Sequence, residues 1–516
     1  MKLNISNKQK NTLLFVLIFI LAIYVRLLNW PYAISQINID EAMTALNAQS
    51  IAQYGTDLYG TSFPIYLKAW GSMGQSVMLA YIMAILIKIF GFSFISIRLP
   101  MLIISLLSIF IFYKLVQEIF ENENLALGAM FFVSICPWHI LQSIWSIDCN
   151  MFPHFMLFSV YFLHHGIKYN NQPCCFCNKN FSIYFSMLLF GLTLYTYGIS
   201  IFIVPIFLLI TFIYLLFTKK ISIKNTLICL IIFIIISLPI LLMYLLNFFK
   251  INNNIYIGPI TIQYFADNSR ASDIIFFADN KMETLKENLN SLFTLFFKQY
   301  DNLEWNGTKF FGTTYLISLV FFFIDMVYFI VKKEKINLGV FMFFIWFIIS
   351  LFVGIIIHET NINRLNIIWF PVLFFSLHGI YVTFQISNKW IKYIIISTYI
   401  ILFISFIIYL NTIWFNKIDM SSCFSKKIID AVEYADKLDK HIIYYVDGND
   451  YIYYQFQNAI DKTESERVLD INEFENIINK NNVNDIYIID INKLTDTKID
   501  LEKYEYKQFG NIIVIE

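Results

Sequence analysis

Charged residues are scarce in this sequence, at 14% of 516 positions against about 25% in a typical soluble domain. Glycine (17) and proline (10) are also few, which excludes a collagen-like repeat and argues against a disordered chain. The 37 basic and 37 acidic residues cancel, so net charge gives no reason to expect nucleic acid as a partner. Hydrophobic residues make up 58% of the chain, with 54 Phe and 32 Tyr. Such a composition predicts a polytopic α-helical membrane protein.

Long apolar runs recur along most of the chain, and a membrane-spanning helix needs about 20 apolar residues. A shorter run at 76–92 carries Lys88, and we interpret it as an interfacial or re-entrant helix. In the alternative interpretation, 76–92 is a true span and a later segment such as 125–137 does not cross the membrane. The expected bundle has about 11–13 transmembrane helices, and the convincing runs are 11–29, 98–117, 125–137, 150–165, 182–198, 199–217, 226–247, 312–331, 338–357, 365–386 and 391–414.

Lysines mark the loops that we expect in the cytoplasm, because short cytoplasmic loops are enriched in Lys and Arg. They occur in the N-terminal tail, at 219–224, at 332–335 and at 389–392. The N-terminus is therefore predicted to be cytoplasmic in a multi-pass protein of the cell membrane. The loops at about 30–75 and 248–311, and the C-terminal tail, are predicted to lie outside.

The composition changes after Trp414, where Asp, Glu and Lys become frequent. Residues 1–415 are thus expected to form the transmembrane module and 416–516 a small extracytoplasmic α/β domain. Helices are predicted at 425–437 and 471–480, and strands at 441–446, 485–490 and 511–515, from their hydrophobic periodicity. The segment Asp447-Gly-Asn-Asp450 has the composition of a ligand loop, but a turn that ends the strand is the favoured interpretation.

Three cysteines, Cys174, Cys175 and Cys177, cluster in a predicted cytoplasmic loop near His164 and His165. A zinc site is one interpretation of this cluster. The Cys-Cys-x-Cys pattern lacks the paired spacing of structural zinc sites, so reduced thiols without a metal are the favoured interpretation.

Acidic residues on the predicted outer side are few. Asp40 and Glu41 follow the first span at the start of a helical pattern, where the helix dipole favours negative charge. Asp148 lies between two spans, beside Trp138 and His139. Taken alone, the Asp40–Glu41 pair is also explained as a simple helix cap.

Several cations share that predicted face, although each one alone is also explained as an anchor to lipid headgroups. Together with the carboxylates they suit sugar transfer from a polyprenyl-phosphate carrier. A carboxylate would take the proton of the attacking hydroxyl, and a cation would stabilise the departing lipid phosphate. The cations are Lys68, Arg98, Arg270 and Arg364.

The order of these motifs resembles the bacterial branch of the dolichyl-phosphate-mannose protein mannosyltransferase family, which is related to the aminoarabinose transferase of lipid A. An Asp-Glu pair in a long first external loop is followed by Phe90-Gly-Phe-Ser-Phe-Ile-Ser-Ile-Arg-Leu-Pro100, then by Pro137-Trp-His139, Ser146-Ile-Asp-Cys-Asn-Met-Phe-Pro153 and Leu194-Tyr-Thr-Tyr-Gly198. The resemblance implies a GT-C fold, a polyprenyl-phosphate sugar donor and action on the outer membrane face. Relatives often carry an arginine where this chain has Ile144-Trp-Ser146, so the sugar or acceptor is expected to differ.

The resemblance also implies roles for individual residues. Asp40 would be the catalytic base, Glu41 would orient the acceptor or hold a divalent ion, and Asp148 would be a second cavity carboxylate. Arg98 would bind the donor phosphate, with Lys68 and Arg364 as weaker candidates. Substrate contacts would come from Trp138, His139 and, in a loop covering the cavity, Arg270. No cofactor is certain, and Mg²⁺ or Mn²⁺ is the ion that the acidic pair would suit.

The function expected from the sequence is inverting transfer of one monosaccharide to a glycolipid, wall polymer or protein at the cell surface. A transporter or lipid flippase is the main alternative, although no internal repeat is evident and Asp325 is the exceptional charge within a span. A surface sensor with the tail as its receptor domain is a third hypothesis.

Overall fold

The computed structural model describes most of the chain. The described residues are 6–28, 30, 37–69, 72–169, 180–266, 274–303, 305–332, 336–358, 360–415, 424, 426–446, 448–461, 465–480, 482–494 and 497–516.

The membrane part is a bundle of apolar helices with two short β-hairpins. Its helices are α1 (Asn7–Leu28), α2 (Ile39–Tyr54), α3 (Met78–Phe90), α4 (Phe94–Phe120), α5 (Glu123–Ser134), α6 (Pro137–Gln142), α7 (Asp148–Lys168), α8 (Phe181–Thr193), α9 (Ser200–Phe217), α10 (Ile223–Phe248), α11 (Lys281–Lys298), α12 (Ser318–Lys332), α13 (Leu338–Ile356), α14 (Trp369–Ile386) and α15 (Lys389–Tyr409). A short π-helical stretch, Leu410–Trp414, continues α15. The hairpins pair β1 (Tyr66–Ala69) with β2 (Ser72–Ser76), and β3 (Ile255–Ile257) with β4 (Ile260–Ile262).

Seven helices among the described residues are long and apolar enough to cross a membrane, which confirms a multi-pass membrane protein. They are Asn7–Leu28, Phe94–Phe120, Ser200–Phe217, Ile223–Phe248, Leu338–Ile356, Asn366–Ile386 and Lys389–Trp414. Helix α3 has 13 residues and extends about 20 Å, less than the roughly 30 Å hydrocarbon core. The 12-residue helix at 125–137 is just as short, so length alone leaves both interpretations of 76–92 open.

Three predicted spans are shorter in the structure than the sequence suggested, and one of them, 182–198, forms the 13-residue helix α8. The other two are 125–137 and 312–331. The run 125–137 forms only the 12-residue helix α5, because Pro137 starts the separate short helix α6. The run 312–331 becomes helical at Ser318, after a series of turns. None of these three helices alone reaches across a full hydrocarbon core.

The start of α4 has a capping box that positions the residues of its first turns. The Ser93 hydroxyl accepts a hydrogen bond from the Ser96 amide at 3.3 Å, and the Ser96 hydroxyl accepts one from the Ser93 amide at 3.1 Å. Two otherwise unpaired amides of the helix end are thus satisfied. Arg98 follows in the second turn and is buried.

Helices α12 and α14 pack against each other very closely. A Cβ added to Gly379 would lie 1.9 Å from the carbonyl oxygen of Phe321, so only glycine permits this approach. On the same pair of helices, the buried Asp325 carboxylate lies 2.6 Å from Nδ1 of His378. The one acidic residue that the sequence places within a span therefore has a partner on the neighbouring helix, as expected of a pair that stabilises helix packing.

The C-terminal domain contains a five-stranded sheet. Its strands are β5 (His441–Tyr445), β6 (Ser465–Arg467), β7 (Asp485–Asp490), β8 (Tyr506–Phe509) and β9 (Ile512–Ile515), in the order β6-β5-β7-β9-β8. Strands β6, β5 and β7 are parallel, and β9 is antiparallel to both β7 and β8. The accompanying helices are α16 (Lys426–Asp436), α17 (Gly448–Asp461), α18 (Ile471–Asn479) and α19 (Ile491–Leu494). The predicted small α/β domain is thus confirmed.

The C-terminal domain packs on the bundle at the start of α2 and α4. Phe456 of α17 meets the rings of Phe92 and Phe94 at centroid distances of 5.5 and 5.4 Å. The backbone of Phe424 forms a β-bridge with Asn38. The domain therefore lies at the same end of the bundle as Asp40 and Arg98, which agrees with the relative sides predicted from the sequence.

Candidate active site

Asp40 and Glu41 form the first turn of α2, as the sequence predicts. The Asn38 side chain caps this helix and accepts a hydrogen bond from the Asp40 amide at 2.9 Å. The Asp40 residue is partly exposed, whereas Glu41 is completely buried. The two neighbouring carboxylates therefore face different surroundings, and Asp40 is the one with access to a substrate.

Glu41 forms a two-pronged ion pair with Arg98. Nε of Arg98 donates to Oε1 of Glu41 at 3.0 Å, and Nη2 donates to Oε2 at 2.9 Å. The Ser146 amide also donates to Oε1, at 3.0 Å. The planar guanidinium matches the two carboxylate oxygens, and the pair joins α2, α4 and the segment before α7.

Aromatic rings surround the buried guanidinium of Arg98. Its central carbon lies 5.1 Å from the ring centre of Trp145 and 5.4 Å from that of Phe94. Both contacts fall within the range of cation–π interactions. The guanidinium is thus held between an ion pair and two rings.

The β1–β2 hairpin contacts both acidic positions of the predicted site. Nε2 of Gln75 donates to the backbone carbonyl of Asp40 at 2.9 Å. The next residue, Ser76, donates its amide to Oδ2 of Asp148 at 3.0 Å. Asp40 and Asp148, which are far apart in the sequence, therefore lie at one site.

A close backbone approach shapes this hairpin. A Cβ added to Gly74 would lie 2.1 Å from the Cβ of Ala69 across the hairpin. The register also shifts between Leu67 and Lys68, as in a β-bulge. Glycine at position 74 permits the close approach to Ala69, and this approach places Gln75 and Ser76 in contact with the two acidic residues.

Lys68 lies on the first strand of this hairpin. It is partly buried, and its ammonium lies 4.9 Å from the ring centre of Tyr59. In the register of the hairpin, Lys68 is opposite Met73, two residues before Gln75. The structure thus places a lysine on the same small element that contacts Asp40 and Asp148.

Arg364 lies in the turn before α14, and its guanidinium donates to the backbone carbonyl of His358. Two residues later, Asn366 is a hydrogen-bonding centre that the sequence did not reveal. Its side-chain amide donates to Oε1 of Gln142 at 2.9 Å, to Oδ1 of Asn150 at 3.2 Å and to the carbonyl of Cys149 at 3.3 Å. This turn therefore holds the segment that carries Asp148.

Trp138 and His139 are fully buried in the bundle. The indole nitrogen of Trp138 donates to Oδ1 of Asn366. His139 lies between Nη2 of Arg26 at 2.6 Å and the Ser108 hydroxyl at 2.8 Å. These positions favour a packing role, and a substrate contact at either residue stays a prediction without support from the geometry.

Arg270 lies outside the described residues, as do the three clustered cysteines. His164 and His165 instead meet a carboxylate, since their Nδ1 atoms lie 3.4 and 2.7 Å from the oxygens of Glu118. Within the described part of the chain, no three His, Cys, Asp or Glu residues come together to hold a metal ion.

The fold and this site define a class of protein: a multi-pass membrane protein with a carboxylate-lined site at one end of its bundle. Residues 74–244 match the family model of the dolichyl-phosphate-mannose-protein mannosyltransferases. That segment contains the motifs around Arg98, Asp148 and Gly198, so the resemblance noted in the sequence is confirmed there. The Asp40–Glu41 pair lies before the matched segment.

Solved structures with the same fold come from two groups of membrane enzymes. ArnT from Cupriavidus metallidurans bound to undecaprenyl phosphate is 11% identical, with a TM-score of 0.56 over 97% of both chains. The oligosaccharyltransferase AglB from Archaeoglobus fulgidus, in complex with an inhibitory peptide and a dolichol-phosphate, is 13% identical. Its TM-score is 0.55 over 99% of this chain and 74% of that chain.

The low identities limit this likeness to the fold, and the chain has the GT-C fold of these membrane glycosyltransferases. A comparison with curated proteins found no match.

Proposed function

We propose that this protein transfers one monosaccharide from a polyprenyl-phosphate carrier to an acceptor hydroxyl on the outer face of the membrane. The observation that carries the proposal is the hairpin contact that brings the partly exposed Asp40 and the buried Asp148 to one site. The lipids bound to the two fold relatives, undecaprenyl phosphate and a dolichol-phosphate, support a donor of the same chemical class.

Asp40 is the proposed general base. Its carboxylate takes the proton of the acceptor hydroxyl while the oxygen forms a bond to the anomeric carbon. The bond between that carbon and the phosphate oxygen breaks, and the lipid phosphate leaves with the electron pair. Attack opposite the leaving group inverts the anomeric centre. Asp148 is the second carboxylate of the site and would favour the positive charge that develops on the sugar ring.

Glu41 and Arg98 act as a positioning pair in this proposal. Their two hydrogen bonds tie the first turn of α2 to α4, and the Ser146 amide ties both to the segment before Asp148. Holding the catalytic groups of an enzyme in one geometry supplies a large part of its rate acceleration. Direct binding of donor phosphate by Arg98 stays a second prediction.

Lys68 is the proposed cation for the leaving phosphate. It lies on the hairpin strand opposite the residues that contact Asp40 and Asp148, and its ammonium is partly buried, where a charge interaction is stronger than in water. Arg364 lies further along the site, in the turn that holds the Asp148 segment. A contribution from a divalent ion, Mg²⁺ or Mn²⁺, would have to use Asp40 and Asp148, since Glu41 is engaged with Arg98.

The acceptor class is a glycolipid, wall polymer or protein of the cell surface. The C-terminal domain packs beside the start of α2, so an acceptor reaching Asp40 passes this domain. The transporter alternative loses its main support, because Asp325 is paired with His378 between packed helices.

The test is sugar transfer in membranes supplied with labelled polyprenyl-phosphate sugars. Acceptor fractions are then extracted and screened for the label. Asp40→Asn should abolish transfer while the protein still inserts and elutes normally in detergent. Asp500→Asn is the matched control, because it makes the same change at a carboxylate that is half exposed in the C-terminal domain. Wild-type rates in Asp40→Asn would remove Asp40 from the mechanism.

A further inference from the structure

A cavity lies between α1 and α4, at the end of the bundle remote from Asp40. Its volume is about 480 Å³. Lys114, in its lining, follows Arg98 by 16 residues on α4, which corresponds to about 24 Å along the helix axis. The cavity is therefore separate from the candidate active site, and nothing in the proposed reaction uses it.

Each helix contributes one face to this cavity. On α1 the face consists of Lys8, Asn11, Thr12 and Phe15, spaced at intervals of three and four residues. Such spacing places side chains on one side of a helix. On α4 the face contains Phe110, Tyr113 and Lys114. Both faces are polar toward the end of the bundle and aromatic further in.

The polar end of the cavity carries a net positive charge. Lys8 forms no ion pair within the described residues, and the hydrogen bond of the Lys114 ammonium there is a long one, 3.4 Å to Gln117. The carboxylate of Glu123, which also lines the cavity, accepts hydrogen bonds from the neutral Tyr113 hydroxyl at 2.5 Å and from Gln117. The lining therefore carries two positive charges and one negative charge, and within the described residues neither lysine is ion-paired with Glu123.

The inner end of the cavity is lined by rings. Phe15 meets Tyr113 at a centroid distance of 5.1 Å and Phe110 at 6.3 Å. The outer faces of Leu13 and Leu14 next to it are exposed, as expected of residues that face lipid. An apolar chain leaving the cavity along α1 would therefore continue into the acyl region of the membrane.

We propose that this cavity binds an anionic phospholipid, with its phosphodiester between Lys8 and Lys114 and an acyl chain along Phe15. The lining changes from lysines at the end of the bundle to aromatic rings further in. This order matches the headgroup and acyl chain of a lipid that lies parallel to the helices. Basic pockets between transmembrane helices commonly hold anionic headgroups. The lysines of the cavity stand at the membrane end where the other lysine-rich loops are predicted, and anionic lipid is attracted to such a surface.

The experiment titrates the detergent-solubilised full chain with phosphatidylglycerol or phosphatidylcholine and counts bound lipid by native mass spectrometry. Wild type should bind phosphatidylglycerol more tightly than phosphatidylcholine. Lys8→Gln with Lys114→Gln should weaken phosphatidylglycerol binding about 25-fold, at about five-fold for each lysine. The control, Lys389→Gln with Lys392→Gln, removes the same charge at the start of α15 and should leave the affinity unchanged.

A second variant tests whether lipid binding depends on the shape of the cavity as well as on its charge. Thr12→Trp fills the cavity between the two helices without changing its charge, and it should also displace phosphatidylglycerol. Equal affinity for the two lipids in wild type, or equal losses in the cavity variant and the Lys389 control, would overturn the proposal. Full displacement of the lipid by an equal concentration of inorganic phosphate would show a phosphate site and overturn the lipid assignment.

Discussion

Removal of the Glu41 charge is the sharpest test of the positioning pair. Glu41→Gln leaves the Arg98 guanidinium buried, with its side chain 3% exposed, and without a counter-charge. Breaking a buried ion pair from one side costs about 3–5 kcal/mol. The glutamine oxygen still accepts from the Ser146 amide, so we expect a loss near the lower end, about 3 kcal/mol of unfolding free energy.

A double variant distinguishes the stranded charge from a simple loss of contacts. Glu41→Gln with Arg98→Met keeps the acceptor for Ser146 and fills the space beside Phe94 and Trp145 with an uncharged chain. Because no charge is then left buried without a partner, the double variant should be more stable than Glu41→Gln alone. Unfolding in detergent, followed by tryptophan fluorescence, measures both differences.

The reverse exchange provides the control for geometry. Glu41→Arg with Arg98→Glu restores opposite charges but presents a guanidinium to the Ser146 amide, which is itself a donor. We therefore expect no recovery of stability or transfer. If the double variant with Met were no more stable than Glu41→Gln, or if the exchanged pair behaved as wild type, the buried pair would not act as described.

Two further predictions concern neighbouring segments. Gly74→Ala should reduce transfer by at least tenfold, because its Cβ would collide with Ala69 and move both hairpin contacts to the acidic residues. Gly128→Ala is the control, because its Cβ would meet only an ordinary contact with Leu377 at 3.8 Å. Equal rates in Gly74→Ala and wild type would contradict the hairpin's role. Burial raises the pKa of Asp301 in the segment after α11, so the folded state keeps this proton to higher pH than the unfolded chain and loses stability as pH rises through the folded pKa. Asp301→Asn should flatten that part of the stability–pH curve, and an unchanged curve would refute the assignment.

The components of the site were predictable from the sequence, but their pairing was not. Asp40 and Glu41 were expected at a helix start, and Arg98 and Asp148 on the same membrane face. Because the sequence separates Glu41 from Arg98 by 57 residues, it could not show that they neutralise each other. Trp138 and His139 looked accessible beside Asp148, whereas helix packing buries both.

Asn366 was missed because an asparagine in a polar turn has no distinctive sequence signal. The run Asn361-Ile-Asn-Arg-Leu-Asn366 drew attention through Arg364 only. The role of Asn366 depends on three hydrogen-bond partners in a segment more than 200 residues earlier. Such contacts follow from tertiary packing and leave no periodicity in the local sequence.

In the C-terminal domain, hydrophobic periodicity predicted the buried strands β5, β7 and β9 and helices α16 and α18 close to their observed bounds. Helix α17 was missed because Asp447-Gly-Asn-Asp450 has the composition of a turn, whereas the helix begins at Gly448. Strands β6 and β8 were also missed. They are edge strands with charged residues and little apolar pattern.

The bridge between Asn38 and Phe424 has a consequence for biosynthesis. The residue that caps the helix of Asp40 is synthesised early, but its backbone partner leaves the ribosome after the last membrane helix. Two segments that are far apart in the chain must meet before this part of the molecule is complete. Nascent or truncated chains that lack Phe424 would reach the membrane with Asn38 unbridged, so the start of the helix that carries Asp40 would be completed late in synthesis.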